Sequence, residues 1–91
     1  MKMVYIVSYD LSEPGQKYET LIGKIKESLA WARLGQSAYL VESEQSAVEL
    51  RNYYRNELDN NDKIYVGKVC APAAWFGMPK DVTDWILEKV K

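Results

Sequence analysis

The stretch VYIVSYDLSEPGQ, residues 4–16, decides the architecture of the chain. Its first half is made of Val, Tyr and Ile, residues that suit a pleated strand, and both alternating faces are substantially apolar. A strand apolar on both sides belongs inside a sheet, so residues 3 to 9 are expected to form a central strand. The run ends on a carboxylate, Asp10, and Pro14-Gly15 marks the loop that follows.

The totals bound what such a chain can be. With 91 residues it is long enough for a single domain with a thin stability margin, which dimerisation would widen. A hydrophobic share of 47% with 27% charged residues is ordinary for a globular protein. No apolar run is long enough to span a bilayer, and the first residues lack signal-peptide order, so a cytoplasmic protein with no membrane partner is expected. The single Cys70 excludes an internal disulfide and a cysteine-cluster metal site. The absence of histidine removes the commonest general base and zinc ligand, leaving carboxylates, hydroxyls, lysines or a hard metal ion for any catalysis. A net charge of -1 argues against a strongly basic nucleic-acid binder, though not against a local positive patch.

Outward from the first strand, Tyr18, Leu21, Ile22, Ile25 and Leu29 recur at helical spacing, which predicts a helix from about Lys17 to Leu29. Residues 30 to 42, AWARLGQSAYLVE, read as two short strands around Gly35-Gln36 or one bent strand with a bulge. Ser46-Ala-Val-Glu49 is a capping box that starts a second helix running to about Leu58, with Ala47, Leu50, Tyr54 and Leu58 turned inward. DNND, residues 59–62, is turn chemistry, and KIYVGKV, 63–69, is the last strand. In CAPAAWFGMP, 70–79, Pro72, Gly77 and Pro79 forbid a regular element. A third helix, roughly Lys80 to Val90, follows with Val82, Trp85, Ile86 and Val90 as its buried stripe.

This order is βαββαβ plus a C-terminal helix: an α+β, ferredoxin-like domain with two helices on one face of an antiparallel sheet. Residues 1–69 form its core, 70–79 an aromatic loop and 80–91 the last helix. Strand parity groups the tyrosines. If the small aliphatics lie under the two helices, Tyr5, Tyr9, Tyr39 and Tyr65 share the opposite face. The third helix could cover that face, a second copy could pack on it sheet to sheet, or bases could stack on it. Helix cover and dimerisation rank above stacking, because no RNP-type run of Gly, Phe and basic residues is present.

The strand ending in Tyr9-Asp10, the Gln36-Ser37 strand of RLGQSAYLVES and Asp62 just before an Ile-Tyr-Val strand resemble the CRISPR-associated protein two family, and within it the small SinR-like proteins. The likeness covers residues 3 to 69. It implies a homodimer that engages nucleic acid. It also implies that Asp10 from both protomers lies near the dyad and holds a magnesium ion for phosphodiester cleavage, so that Asp10 is at once the catalytic and the metal-ligating candidate. A hard cation with few protein oxygens and bound water suits that chemistry. Two departures stand out: the loop after the strand, LSEPGQK, carries Glu13 and only Lys17 as a base, and the chain ends in a helix where the family often exchanges a strand.

Residue type alone favours a different role for Asp10, an Asx-type turn at a strand end, with Ser12 able to act similarly. The remaining candidates form a ligand-binding set of Tyr9, Ser12, Trp31, Arg33, Gln36, Tyr39, Trp75 and Phe76. Arg33 beside aromatics can take a phosphate or stack on a base, or simply cover an apolar edge. Arg51 and Arg55, spaced i, i+4, read first as a solvated helix face. Trp75-Phe76 should not stay exposed in a Pro/Gly loop; it either plugs the core under the third helix or walls a pocket for a flat ligand. The alternative to the nucleic-acid dimer is therefore a non-catalytic module that binds a small nucleotide, or a protein partner, at a dimer interface.

Overall fold

The computed structural model describes residues 1–12 and 18–91. Glu13, the Pro14-Gly15 loop and Lys17 at the expected helix start lie outside the described residues. The elements are β1 (Met3–Asp10), α1 (Tyr18–Ile25), β2 (Ala30–Gly35), β3 (Ala38–Ser43), α2 (Ala47–Arg55), β4 (Lys63–Val69) and α3 (Lys80–Lys89). The four strands form one antiparallel sheet in the order β2-β3-β1-β4. The fold is α+β and ferredoxin-like, with a C-terminal helix added. β1 is central, as its two apolar faces require.

Local chemistry fixes the element ends. Ser46 Oγ accepts from Glu49 N at 3.1 Å, and the Glu49 carboxylate accepts from Ser46 N at 2.8 Å, completing the capping box of α2. α1 stops four residues before the expected Leu29. Its last turn tightens, with Ser28 N and Oγ both donating to Ile25 O, and Leu29 N already donates to Glu42 O of β3. The sheet claims the backbone at residue 29, and Leu29 is exposed. β2 and β3 form a hairpin, so of the two readings of residues 30 to 42 the pair of short strands holds and the single bent strand does not; a register shift lies within the pair, between Arg33 and Gly35.

The two faces of the sheet carry different cores, and their assignment reverses the expected one. Tyr5, Val7 and Tyr9 of β1 and Tyr39 and Val41 of β3 pack under α1 and α2, against Leu21, Ile25, Leu50 and Tyr54. Val4 and Leu40, joined by Ala32, pack on the other face against Val82, Ile86 and Val90 of α3. Three tyrosines of this layer bring their hydroxyls to polar partners, whereas the Tyr54 hydroxyl is buried with no hydrogen-bond partner among the described residues. Tyr5 OH donates to Gln45 O at 2.7 Å, Tyr9 OH donates to Gln36 O at 3.3 Å, and Tyr18 OH lies 3.3 Å from Ser37 Oγ. Tyr65 is not with them. It pairs with Ser8 in the β1–β4 ladder, so it stands on the α3 face, and it is 66% exposed. Its ring lies over Gly67, where a Cβ would come within 2.6 Å of Tyr65 Cε1.

The aromatic loop divides. Trp75 joins the α3-side core and donates its indole N–H to Thr83 Oγ1 at 3.1 Å, whereas Phe76 is 98% exposed. The plug is Trp75 alone. Among the described residues no helix is long and apolar enough to cross a membrane.

Candidate functional site

α3 covers the second face unevenly. Its core reaches Val4 and Ile6 at the start of β1, while Ser8 and Asp10 at the end of the strand remain exposed. Register places Ala38 and Tyr65 on either side of Ser8, and Lys63 opposite Asp10. The result is an open corner of the sheet that presents a carboxylate, a hydroxyl, an amine and a phenol, on strands rather than loops.

Asp10 is thus held by a rigid element and faces solvent, the arrangement that a ligating or catalytic carboxylate needs. The turn role considered for it falls to a different residue. Asp62 Oδ1 accepts from Ser12 N at 2.8 Å and Ser12 Oγ at 2.9 Å, and its Oδ2 accepts from Asp59 N at 2.8 Å. This carboxylate ties the segment after β1 to the α2–β4 loop. Its residue type was legible as turn chemistry, but its partner fifty positions away was not.

The expected ligand-binding set does not come together in one place. Tyr9 and Tyr39 are interior to the α1–α2 core, 4% and 2% exposed. Burial pushes the Tyr9 phenol up to about 12, with the neighbouring Tyr39 and Tyr18 phenols adding to the effect. Ser12 is engaged by Asp62, and Gln36 supplies the carbonyl that accepts from Tyr9. Arg33 folds back so that its Nε donates to Gly35 O at 3.0 Å. Trp31 lies on the α1–α2 face at the β2 edge, with its ring 6.0 Å from that of Tyr39 and Lys26 Nζ 4.6 Å above it. Trp75 is in the opposite core and Phe76 in solvent.

Among the described residues no group of three or more His, Cys, Asp or Glu side chains could hold a metal ion. One chain offers Asp10 and the nearby Ser8 hydroxyl, oxygen donors of the kind magnesium prefers.

No family model matches the chain, and no curated protein matches it. Its structure is similar to the crystal structure of a hypothetical protein, TT1823, from Thermus thermophilus. The TM-score is 0.71 at 22% identity, covering 86% of this chain and 94% of the other. The fold is shared. At that identity the likeness speaks for the fold alone.

Proposed function

We propose that the protein is a Cas-two-like homodimer that engages nucleic acid at the open corner of its second sheet face and cleaves phosphodiester bonds weakly when magnesium is bound. The observation that supports this reading is the position of Asp10: exposed, at the end of the central strand, on the part of the face that α3 leaves uncovered. Two copies packed there bring two Asp10 carboxylates across a dyad. Bound between them, magnesium would neutralise charge on the phosphate and lower the pKa of a water molecule. The Asp10 carboxylates would hold that ion, and their mutual repulsion would make the pair depend on it. Ser8, exposed on the same side of the strand, would hydrogen-bond a phosphate oxygen.

Asp10→Asn tests the reading, with oligomeric state followed by analytical ultracentrifugation. Cleavage of RNA or DNA should require magnesium and fall on the order of 100-fold or more in the variant while the dimer persists. Cleavage that ignores chelator, or an unchanged Asp10→Asn rate, overturns the catalytic role.

The fully exposed Phe76 favours a second reading, a non-catalytic module that binds a protein partner or a small nucleotide. A saturating nucleotide must raise the melting temperature of such a protein, and Phe76→Ala must weaken capture of a protein partner.

A further inference from the structure

A cavity of about 400 Å³ opens where α2, the α2–β4 loop and β4 meet. Arg51 and Arg55, one turn apart on α2, and Lys63, the first residue of β4, line it. Arg51 donates through Nε and Nη2 to Asn52 Oδ1 at 3.2 and 3.0 Å, a neutral partner that leaves its charge uncompensated. Among the described residues no ion pair engages Arg51, Arg55 or Lys63. Asp59 and Asp62 also line the cavity, but the Asp62 oxygens accept from Ser12 and from Asp59 N. The three cations outnumber the two carboxylates, so the cavity is positive in a chain whose net charge is -1.

A second, shallower cavity of about 220 Å³ shares Arg51 and Ile64 with the first and is walled by Val48 and Tyr65. Both of these are largely exposed, at 57% and 66%. The positive cavity therefore continues along the α2 side of the β4 edge into an apolar shelf bordered by Tyr65, whose ring lies over Gly67 on the other side of that edge strand. Basic groups that follow a backbone beside an aromatic that can stack on a base are the elements of single-strand recognition. The shelf leads to the open corner: in the β1–β4 ladder Lys63 is the partner of Asp10, and Tyr65 the partner of Ser8. Cα partners in such a ladder lie about 5 Å apart.

We propose that Arg51, Arg55 and Lys63 hold backbone phosphates of a single-stranded nucleic acid while Tyr65 stacks on a base, so that the strand is led over the β4 edge to Asp10. The inference rests on the reading of the protein as one that engages nucleic acid, and adds the substrate class and its track. Single strands fit better than duplexes because Tyr65 can stack only on a base already free of its partner.

The full-length chain is titrated with a fluorescein-labelled oligouridylate at several salt concentrations, without magnesium so that cleavage does not intervene. Arg51→Gln/Arg55→Gln should weaken binding roughly tenfold and lower the salt slope by about 1.4, because each lost phosphate contact on a single strand is worth about 0.7. Tyr65→Ala should weaken binding roughly tenfold with an unchanged slope. A control with equal charge loss outside the cavity, Lys80→Gln/Lys91→Gln at the start of α3 and just past its end, should stay within about twofold of wild type if the site and not net charge governs binding. Oligouridylate binding that is equal in wild type and Arg51→Gln/Arg55→Gln, with equal slopes, overturns the track and leaves the nucleic-acid reading standing. Equal losses in the Arg pair and the Lys pair likewise overturn it. A wild-type chain that binds no oligouridylate overturns the inference together with the reading beneath it. Circular dichroism of each variant separates loss of binding from loss of fold.

Discussion

The two faces of the sheet differ in how completely they are closed. Under α1 and α2, Val7 and Val41 are fully buried, Tyr39 is 2% exposed, and the Tyr5 and Tyr9 hydroxyls donate to backbone carbonyls. On the other face α3 seals one end, through Val82, Ile86 and Val90, and leaves Ser8, Asp10 and Tyr65 in solvent. A small domain has little stability to spare, so the closed face is expected to carry most of it and the open corner to be free for binding. Full closure and partial exposure are divided between opposite sides of one strand, β1, whose alternate residues belong to each.

That division can be broken by substitution. The largest effect is expected for Tyr39→Ala, about 3–5 kcal/mol in urea unfolding, because it empties the middle of the closed face. Ile86→Ala on the α3 side should cost about 2–3 kcal/mol; a loss equal to that of Tyr39→Ala would mean that the two faces contribute alike. Asp62→Ala should cost about 1–3 kcal/mol, since two backbone N–H groups and the Ser12 hydroxyl lose their acceptor. Ser46→Ala, which removes one side of the capping box, should cost about 1 kcal/mol. Tyr65→Ala on the open corner should change stability by less than about 0.5 kcal/mol, and a larger loss would show that the corner is part of the core.

Alkali probes the closed face separately. In the unfolded chain a tyrosine ionises near its ordinary value of about 10, whereas folded Tyr9 keeps its proton up to about 12. Between those values the unfolded state binds fewer protons, so the contribution of Tyr9 is fully present below pH 10 and is lost as pH rises toward 12. The melting temperature should fall across that window, and Tyr9→Phe should flatten the fall. An identical alkaline profile in Tyr9→Phe would assign the loss to other groups.

Much of this arrangement was legible in the sequence. Helical spacing found Leu50 and Tyr54 of α2 and Val82 and Ile86 of α3 as buried, and Ser46 and Glu49 gave the start of α2, because these signals are local; the expected end of α2 at Leu58 lies three residues beyond the observed one at Arg55. Which face of β1 lies under which helices was not legible. Both faces are apolar, and alternation says which residues share a side without saying what covers it. Tyr65 shows the same limit between strands: its period within β4 is clear, but its grouping depends on register with Ser8. Asp10 could be picked out as a strand-end carboxylate, yet its exposure depends on where α3 stops. Arg51 and Arg55 gained meaning only when β4 brought Lys63 beside them.

The ring of Tyr65 resting on Gly67 has a consequence for how the open corner could be tuned. What the ring leans on is the absence of a side chain, since a Cβ at position 67 would stand 2.6 Å from Cε1. A single methyl group, Gly67→Ala, would push the free end of a flexible side chain aside without disturbing the backbone ladder. The aim of the exposed aromatic is thus written two residues away from it. Position 67 works as a hinge pin for Tyr65, and the corner can be re-aimed from there without altering any of the groups it presents.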